Sequence, residues 1–179
     1  MKANYGSYIP ISTVDWHGKA AVVLFLRGCP FRCPYCQNYE ILTGSDLVEM
    51  RVLQDKIESS TPFISSLVIS GGEPLIQKKA VKELASFAKK KGLLVGIHTN
   101  GFYPEVIEEL LQKSLVDAFF LDIKAPMNDP IAYCKVIGCD EYNLTLEPKE
   151  VIEDIAKSLD LISKSNAHLE VRTTVIPGL

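Results

Sequence analysis

The sequence predicts an α/β fold: a partial (β/α) TIM-like barrel of parallel strands, with five βα units visible. Five short apolar runs, rich in β-branched residues, alternate with segments of helical periodicity. The runs are apolar almost throughout, as is typical of strands that are covered on both faces. Strands that alternate with helices favour a parallel sheet with right-handed crossovers, either open and doubly wound or closed into a barrel.

The five apolar runs predict the strands, and the amphipathic segments between them predict the helices. The predicted strands are Ala21–Leu26, Ser66–Ser70, Leu93–Ile97, Ala118–Ile123 and Leu169–Ile176. The predicted helices are Gln54–Ser60, Gln77–Lys91 and two segments that begin at Pro104 and Pro148. Proline suits the first turn of a helix because its missing N–H would have no partner there, and Gly92 suits a C-terminal cap.

The chain, residues 1–179, is predicted to form one domain, in which an N-terminal segment, residues 1–19, packs on the barrel. The sequence stops at Leu179, directly after the fifth predicted strand. A bare strand edge is a hazard that proteins usually avoid. We therefore expect that a C-terminal βα unit of a longer relative is missing. A naturally short variant closed by dimerisation is the alternative.

Composition and charge exclude several classes of function. The net charge is −3 and the isoelectric point is about 5.6, so no broad basic field attracts nucleic acid. The longest apolar run, Ala20–Leu26, is far shorter than the roughly 20 residues that span a bilayer. The N-terminus lacks the apolar core of a signal peptide. These features predict a cytoplasmic protein that binds neither nucleic acid nor membrane and keeps its cysteines reduced.

Polar, glycine or cysteine residues stand at the end of every predicted strand. RGCPFRCPYC follows the first strand, GGEP the second and HTNG the third; the fourth carries LDIKAP and the fifth carries Arg172. In both candidate architectures ligands bind beyond the carboxyl ends of the strands. We therefore expect a single pocket that collects these residues.

Three cysteines, Cys29, Cys33 and Cys36, lie within eight residues, which favours a metal site over a disulfide in a reducing compartment. A structural zinc ion needs a fourth ligand, and none of the three histidines lies at a spacing typical of a zinc finger. In a 4Fe–4S cluster, three cysteines leave one iron open for a substrate or cofactor. The other two cysteines, Cys134 and Cys139, are interpreted as structural or free thiols.

The CPFRCPYC segment resembles the CxxxCxxC signature of the radical S-adenosylmethionine (radical SAM) enzymes, including the aromatic Tyr35 before the last cysteine. GGEP resembles the GGE element of that family. LDIKAP resembles the DxK strand of the glycyl-radical-enzyme activases, and VRTTVIPGL resembles their fifth-strand segment. The opening SYIPISTVDWHGKAAVVLFLRGC is most similar to the activating proteins of anaerobic ribonucleoside-triphosphate reductase, and next to pyruvate formate-lyase activating enzyme. The resemblance covers nearly the whole chain.

This resemblance implies a mechanism, two cofactors and two protein partners. The three cysteines would hold a 4Fe–4S cluster whose open iron binds the amino and carboxylate groups of S-adenosyl-L-methionine. One electron, supplied by a flavodoxin- or ferredoxin-like donor, would cleave this cofactor to methionine and a 5′-deoxyadenosyl radical. In an activase, that radical removes a hydrogen atom from a backbone glycine of a glycyl radical enzyme, the protein substrate.

The resemblance also implies which residues contact S-adenosylmethionine. Gly71, Gly72 and Glu73 form the element that holds its amino group, and Arg172 would lie near its carboxylate. The remaining candidates for cofactor binding are Tyr35, His98, Asn100, Asp122 and Lys124.

Two departures from the activase pattern are visible in the sequence. In pyruvate formate-lyase activating enzyme an aspartate before TNG helps bind a monovalent cation; in this chain His98 stands at that position, although Asp122 matches a second member of the cation site. The activase family also continues past the fifth strand to a sixth, which carries part of the substrate surface.

Each of these residues also has a purely structural interpretation. Asp122 and Lys124 point the same way on a strand and could form a local ion pair. Arg172 could pair with Glu170, two residues away. His98 could be a hydrogen-bonded strand-end residue, and the Asn-Gly step after Thr99 could be an ordinary turn.

Two other functions compete with an activase. One is a small-molecule radical SAM enzyme such as 7-carboxy-7-deazaguanine synthase, and the other is a zinc-binding module without catalysis. The N-terminal WHGKAAVVLFLRGC segment and LDIKAP favour the activase.

Overall fold

The computed structural model describes residues 1–139 and 146–175 of the chain. Within those ranges the strands are β1 (Lys2–Ser12), β2 (Ala21–Leu26), β3 (Leu47–Glu49), β4 (Ser66–Gly71), β5 (Leu94–Thr99), β6 (Ala118–Asp122) and β7 (His168–Arg172). The helices are α1 (Met50–Ser60), α2 (Lys78–Lys90), α3 (Pro104–Gln112), α4 (Pro130–Ile137) and α5 (Pro148–Ser163). Single 3₁₀ turns cover Tyr39–Ile41, Thr61–Phe63 and Pro74–Gln77.

The described strands form one sheet in the order β3-β1-β2-β4-β5-β6-β7. From β2 to β7 every neighbouring pair in this order is parallel. These five strands stand in the sheet in their chain order, whereas β3, which lies between β2 and β4 in the chain, is at the edge beyond β1. The predicted α/β fold with a parallel sheet is therefore confirmed and is consistent with a partial barrel. The last predicted strand ends earlier than expected, at Arg172, and its predicted end at Ile176 lies outside the described residues.

The N-terminal segment differs from the prediction that it packs on the barrel, because residues 2–12 are themselves a strand of the sheet. β1 pairs antiparallel with β2 on one side and, through Lys2–Asn4, with β3 on the other. The register shifts between Tyr5 and Ser7 and again between Ile9 and Ser12. Such irregularities interrupt the two-residue period by which a strand is recognised in a sequence, which explains why β1 was not predicted.

Two helices also differ from the predictions. α1 begins at Met50, four residues before the predicted start, and α4 was not predicted. The α4 helix is capped by the Asp129 side chain, which accepts a hydrogen bond of 3.0 Å from the Ala132 N–H, and it ends at Gly138 in a left-handed conformation. Among the described residues, no helix is both long and apolar enough to cross a membrane.

Helices α1, α2 and α3 cover one face of the sheet. Leu24 of β2, Ile69 of β4 and Ile97 of β5 are fully buried in one apolar cluster with Leu53 of α1 and Leu84 of α2. Burial of such side chains is the main favourable term in folding. The packing of this layer holds the carboxyl ends of the parallel strands at one edge of the sheet.

The opposite face of the sheet packs against Trp16, in the loop between β1 and β2. The indole meets the Phe120 ring edge-on, with ring centroids 5.6 Å apart. It also lies over Gly96, where an added Cβ would stand 3.0 Å from the indole. Trp16 belongs to a second apolar cluster with Val23 and Val68. A large side chain from the β1–β2 loop thus covers the face that the helices leave open.

We expect Trp16→Ala to lower the free energy of unfolding by about 3–5 kcal/mol, because it removes a buried indole and leaves a void against Phe120 and Gly96. Val14 lies in the same loop but is 85% exposed. Val14→Ala should therefore change stability by less than about 0.5 kcal/mol. Urea unfolding of the metal-free proteins measures both changes. Similar values for the two variants would show that Trp16 does not act as a core residue.

Candidate functional site

The carboxyl ends of the parallel strands surround one cavity of about 360 Å³. It brings together most of the residues that the sequence predicted as a site. The predicted residues that line it are Cys29, Cys33, Tyr35, Cys36, Gly71, Gly72, His98, Asn100, Asp122 and Lys124. Glu73 and Arg172 do not line it. The convergence of the strand ends on one pocket is therefore a feature of the fold.

The cysteine loop, residues 28–38, leaves the end of β2 and folds back on itself. The Cys36 N–H donates to the Cys33 carbonyl at 3.0 Å, and the Arg32 guanidinium donates to the carbonyl of Cys29 at 2.6 Å. The loop is also tied to α4, because the Arg32 N–H donates to the Ile137 carbonyl at 2.8 Å. These contacts hold the three cysteines at one wall of the cavity.

None of these three cysteines forms a disulfide. Burial raises the pKa of the Cys29 thiol to about 12 and that of Cys33 to about 11. Without a bound cation both side chains are therefore protonated at neutral pH, and metal binding has to displace their protons. Among the described residues, no group of three or more histidine, cysteine or acidic side chains is arranged to hold a single metal ion.

Tyr35 gives a further sign that the cysteine loop is built to receive another group. Its hydroxyl is buried beside Cys33 and has no hydrogen-bond partner of good geometry in the described part of the chain. Buried polar atoms without a partner are rare and costly. A sulfur-containing cluster next to Cys33 would give this hydroxyl an acceptor. The three thiols, with the buried Tyr35 hydroxyl beside Cys33, thus fit an iron–sulfur cluster.

The two glycines at the end of β4 bring the chain unusually close to β2. A Cβ on Gly71 would lie 2.0 Å from the Leu26 carbonyl oxygen, and a Cβ on Gly72 would lie 2.3 Å from that of Gly28. Gly71 also has a φ of +140°, which side chains rarely tolerate. In the structure the space of each missing Cβ is taken by the β2 end and the start of the cysteine loop.

Glu73 lies beneath the cavity and is fully buried. Its carboxylate accepts hydrogen bonds from the Leu75 N–H at 3.0 Å, the Asn100 N–H at 2.7 Å and the Thr99 hydroxyl at 2.9 Å. Burial raises the pKa of this carboxyl to about 7, and the donated hydrogen bonds oppose that shift. The Glu73 side chain therefore joins the end of β4 to the end of β5. Its contact with a cofactor stays a prediction.

Asp122 and Lys124 form an ion pair at the end of β6, with 2.8 Å between the Lys124 Nζ and the Asp122 Oδ2. Burial opposes the charge on Lys124, but the attraction of Asp122 and their hydrogen bond outweigh it and raise the lysine pKa. Lys124 therefore stays positively charged next to the cysteines. The local ion pair expected from the sequence is therefore present, and both of its side chains also line the cavity.

His98 and Arg172 meet at the far side of the cavity. The Arg172 Nη1 lies 3.4 Å from the His98 Nε2, which is also 3.0 Å from the Asp15 carbonyl oxygen. Burial and the charge of Arg172 lower the pKa of His98, so its imidazole is neutral at neutral pH. Arg172 pairs with Glu170 at 2.7 Å, as its structural interpretation expected. Its role near a cofactor carboxylate stays a prediction.

Sequence reasoning missed Asn38, which lines the cavity two residues after Cys36. Its Nδ2 donates a hydrogen bond of 2.9 Å to the Gly71 carbonyl and so fastens the end of the cysteine loop to the end of β4. Thr99 was also missed; it lines the cavity and donates to Glu73. Thr99 lies within the HTNG segment and Asn38 stands two residues after the last cysteine, and these positions were the available signal.

The fold and the site define a class of protein: an α/β protein with three cysteines on one loop at the carboxyl ends of parallel strands. The model of the Radical SAM superfamily matches residues 23–179. The chain belongs to that superfamily. Membership implies a 4Fe–4S cluster and S-adenosylmethionine as cofactors.

Three relatives show how far the similarity extends. A provisionally named glycyl-radical enzyme activating enzyme of Methanocaldococcus jannaschii is 39% identical over 99% of this chain and 70% of its own. Pyruvate formate-lyase 1-activating enzyme of Escherichia coli K12 is 31% identical over 96% of this chain and 67% of its own. 7-Carboxy-7-deazaguanine synthase of M. jannaschii is 30% identical, over 50% of this chain and 43% of its own.

A solved structure of TYW1 with a lysine–pyruvate adduct shares the fold, with a TM-score of 0.63. The match covers 88% of this chain and 56% of that one, at 18% sequence identity. This likeness concerns the fold alone.

The raised pKa of Glu73 predicts a specific pH dependence of stability. The folded protein binds this proton more tightly than the unfolded chain does, so the contribution of Glu73 to stability falls as the pH rises from about 5 to about 7. Glutamine cannot titrate. We therefore expect the difference in unfolding free energy between the wild type and Glu73→Gln to shrink over that range and to stay constant above it.

Urea unfolding of metal-free protein at several pH values measures this difference. Glu153→Gln removes an exposed carboxylate of α5 and is the matched control, whose difference from the wild type should not follow this profile. A Glu73→Gln difference that grows with pH would show that the Glu73 pKa is lowered instead.

Proposed function

We propose that this chain is an activating enzyme that generates a glycyl radical on a partner enzyme, of the anaerobic ribonucleotide reductase or pyruvate formate-lyase type. The observation that carries the proposal is that the relatives matching nearly the whole chain are named for this activity. The cavity supports it, because the cysteine loop, the β4 glycines and the Asp122–Lys124 pair share one pocket. The electron donor in this proposal is a flavodoxin- or ferredoxin-like protein, and the location is the cytoplasm.

In this proposal Cys29, Cys33 and Cys36 hold the 4Fe–4S cluster. When bound, the reduced cluster and S-adenosylmethionine supply a one-electron cleavage of the sulfonium carbon–sulfur bond. The task of the chain is to bind and orient these groups and to keep water away from them. Lys124 provides a fixed positive charge beside the cysteines, which favours their deprotonated, metal-binding form.

The remaining predicted residues position S-adenosylmethionine. Gly71 and Gly72 present backbone at the cavity wall, and Asn100 and His98 line the side formed by β5. Glu73 acts one layer below, by fixing the Asn100 backbone to the end of β4. Arg172 borders the site through its contact with His98.

A small-molecule radical SAM enzyme is the second candidate, because 7-carboxy-7-deazaguanine synthase is similar over half of this chain. That match spans fewer residues than the matches to the activating enzymes. The two candidates share the cluster and its loop. They differ in whether the hydrogen donor is a protein backbone or a small heterocycle.

The test of the proposed function uses chain reconstituted with iron and sulfide under anaerobic conditions. We expect four irons per chain and, after reduction with S-adenosylmethionine, a glycyl radical signal in electron paramagnetic resonance on anaerobic ribonucleotide reductase or pyruvate formate-lyase. Cys33→Ala should abolish both the cluster and the radical, because it removes one of three ligands. Cys139→Ala, at a buried cysteine that does not line the cavity, should retain both.

Two results would contradict this assignment. Turnover of a pterin-like substrate without a radical on either protein would identify a small-molecule enzyme. A colourless chain with stoichiometric zinc, and no iron after reconstitution, would identify a zinc-binding module.

Asn38 should contribute to cofactor affinity without binding the cluster. Asn38→Asp replaces the donor that faces the Gly71 carbonyl with a carboxylate, so the carbonyl loses its partner and meets a negative charge. We expect about ten-fold weaker binding of S-adenosylmethionine, or about 1.4 kcal/mol, because the loop end and the Gly71 wall of the cavity are no longer fixed together before the cofactor binds. Equilibrium dialysis of the reconstituted protein measures the affinity, and its iron content should be unchanged.

Gln37→Glu is the control, since it adds the same charge at the neighbouring, exposed cavity residue. It should bind S-adenosylmethionine as the wild type does. An equal loss in both variants would mean that charge alone, and not the hydrogen bond to Gly71, affects the cofactor.

A further inference from the structure

We propose that a second groove, on the outer side of the wall that carries Cys29, is the docking surface for a small acidic protein that delivers one electron to the cluster. This inference rests on the proposed function, in which such a donor is needed. In the transfer, the reduced carrier loses one electron and the oxidised cluster gains it. No proton moves and no covalent bond forms between the two proteins.

The groove, which we call the lysine groove, lies where the 3₁₀ turn Pro74–Gln77 leads into α2. It has a volume of about 360 Å³. Its lining includes Lys2, Ile76, Lys78 and Lys79. Ile76 is 42% exposed although it is a large apolar residue. An exposed apolar centre with charged residues around it is typical of a protein-docking surface.

The charge of the lysine groove is opposite to that of the whole chain. The chain carries −3 overall, whereas Lys2, Lys78 and Lys79 gather around this groove. Lys2 is within 3.8 Å of Glu49, but Lys78 and Lys79 form no ion pair with any described residue. A local positive field on an acidic protein favours an acidic partner and accelerates its association.

The groove is also close to the cluster ligands. The Ile76 Cδ1 lies 3.9 Å from the position of a Cβ on Gly28, and Gly28 is bonded directly to Cys29. On the inner side of the same wall, a Cβ on Gly72 would lie 3.0 Å from the Cys29 Cβ. Between the groove and Cys29 therefore lie the Ile76 side chain and the backbone of Gly28, which carries no side chain of its own. A carrier seated over Ile76 would therefore be separated from Cys29 by little protein, and electron transfer slows steeply with distance.

The backbone of this wall is held rigidly. The Gln77 side chain donates to the carbonyls of Asn4 and Arg27 at 2.8 and 2.9 Å, and the Glu73 N–H donates to the Gly28 carbonyl at 2.7 Å. A docked carrier would therefore meet a fixed surface, and binding would require little ordering of the chain.

The test compares two double charge reversals in the reconstituted full chain, with reduced flavodoxin as the probe. Lys78→Glu/Lys79→Glu reverses the lysine groove, and acidic residues in the first turn of α2 also suit the helix dipole, so the fold should be retained. Lys90→Glu/Lys157→Glu makes the same change in net charge at exposed sites that do not line the groove. Ile76→Ser removes the apolar centre without changing the charge.

We expect the groove reversal to weaken flavodoxin binding about ten-fold at low salt, with a smaller effect at high salt. Ile76→Ser should weaken binding at both salt concentrations. The control reversal should bind as the wild type does. Reductive cleavage of S-adenosylmethionine should fall in the groove variants when flavodoxin is the reductant and should be unchanged with dithionite, which needs no docking.

The proposal is overturned if the groove reversal binds flavodoxin as the wild type does, or if the control reversal weakens binding equally. It is also overturned if dithionite-driven cleavage falls as much as flavodoxin-driven cleavage, or if the groove reversal weakens binding of the glycyl radical enzyme in place of flavodoxin. Binding is measured independently of radical transfer. Failure to form a glycyl radical therefore counts against the proposed function alone.

Discussion

The close approach of the β4 end to the β2 end is the constraint on which the site depends. No side chain fits at Gly71 or Gly72, because the Leu26 and Gly28 carbonyls occupy the positions that a Cβ would need. The same contact is fastened by hydrogen bonds, from the Gly72 N–H to Leu26 at 3.1 Å and from the Glu73 N–H to Gly28 at 2.7 Å. Since Gly28 directly precedes Cys29, the position of the first cysteine is set by backbone contact with the neighbouring strand.

Two side chains extend this constraint to the rest of the cavity. Asn38 fastens the far end of the cysteine loop to the Gly71 carbonyl, so both ends of the loop are attached to β4. Glu73 holds the Asn100 N–H and the Thr99 hydroxyl, and therefore attaches the end of β5 to the same turn. A shift of residues 71–73 would therefore move both the cysteine loop and the end of β5 that lines the cavity. Hydrogen bonds that are fully satisfied in a buried network favour a single arrangement over alternatives.

The sequence predicted the parallel strands and most of the cavity residues, because both depend on local patterns. Runs such as Ala21–Leu26 are continuous and apolar, and each strand end is marked by glycine, cysteine or charge. Other features depend on contacts between distant residues, which no local pattern records. The burial of Glu73 beneath Asn100 joins residues 27 positions apart, and the Trp16 cover of the sheet joins the β1–β2 loop to Phe120. The strand β1 escaped prediction for a different reason, since its shifts of register remove the alternation that would reveal it.

The two sides of the cavity differ in the charge of the side chains that line them. On the cysteine side, Lys124 keeps its positive charge because Asp122 and their hydrogen bond outweigh the cost of burial, and this charge favours thiolate at Cys33. On the β5 side, the positive charge of Arg172 adds to burial in keeping His98 neutral. A group with negative charge is therefore favoured beside the cysteines, where a thiolate-ligated cluster would lie.

The neutral His98 can accept a hydrogen bond from Arg172 or donate one to the Asp15 carbonyl, and in either state it adds no charge to the site. The positive charge of Lys124, in the cavity, is held by Asp122 at the end of β6, and that of Arg172, which borders the cavity through His98, is held by Glu170 on the same strand.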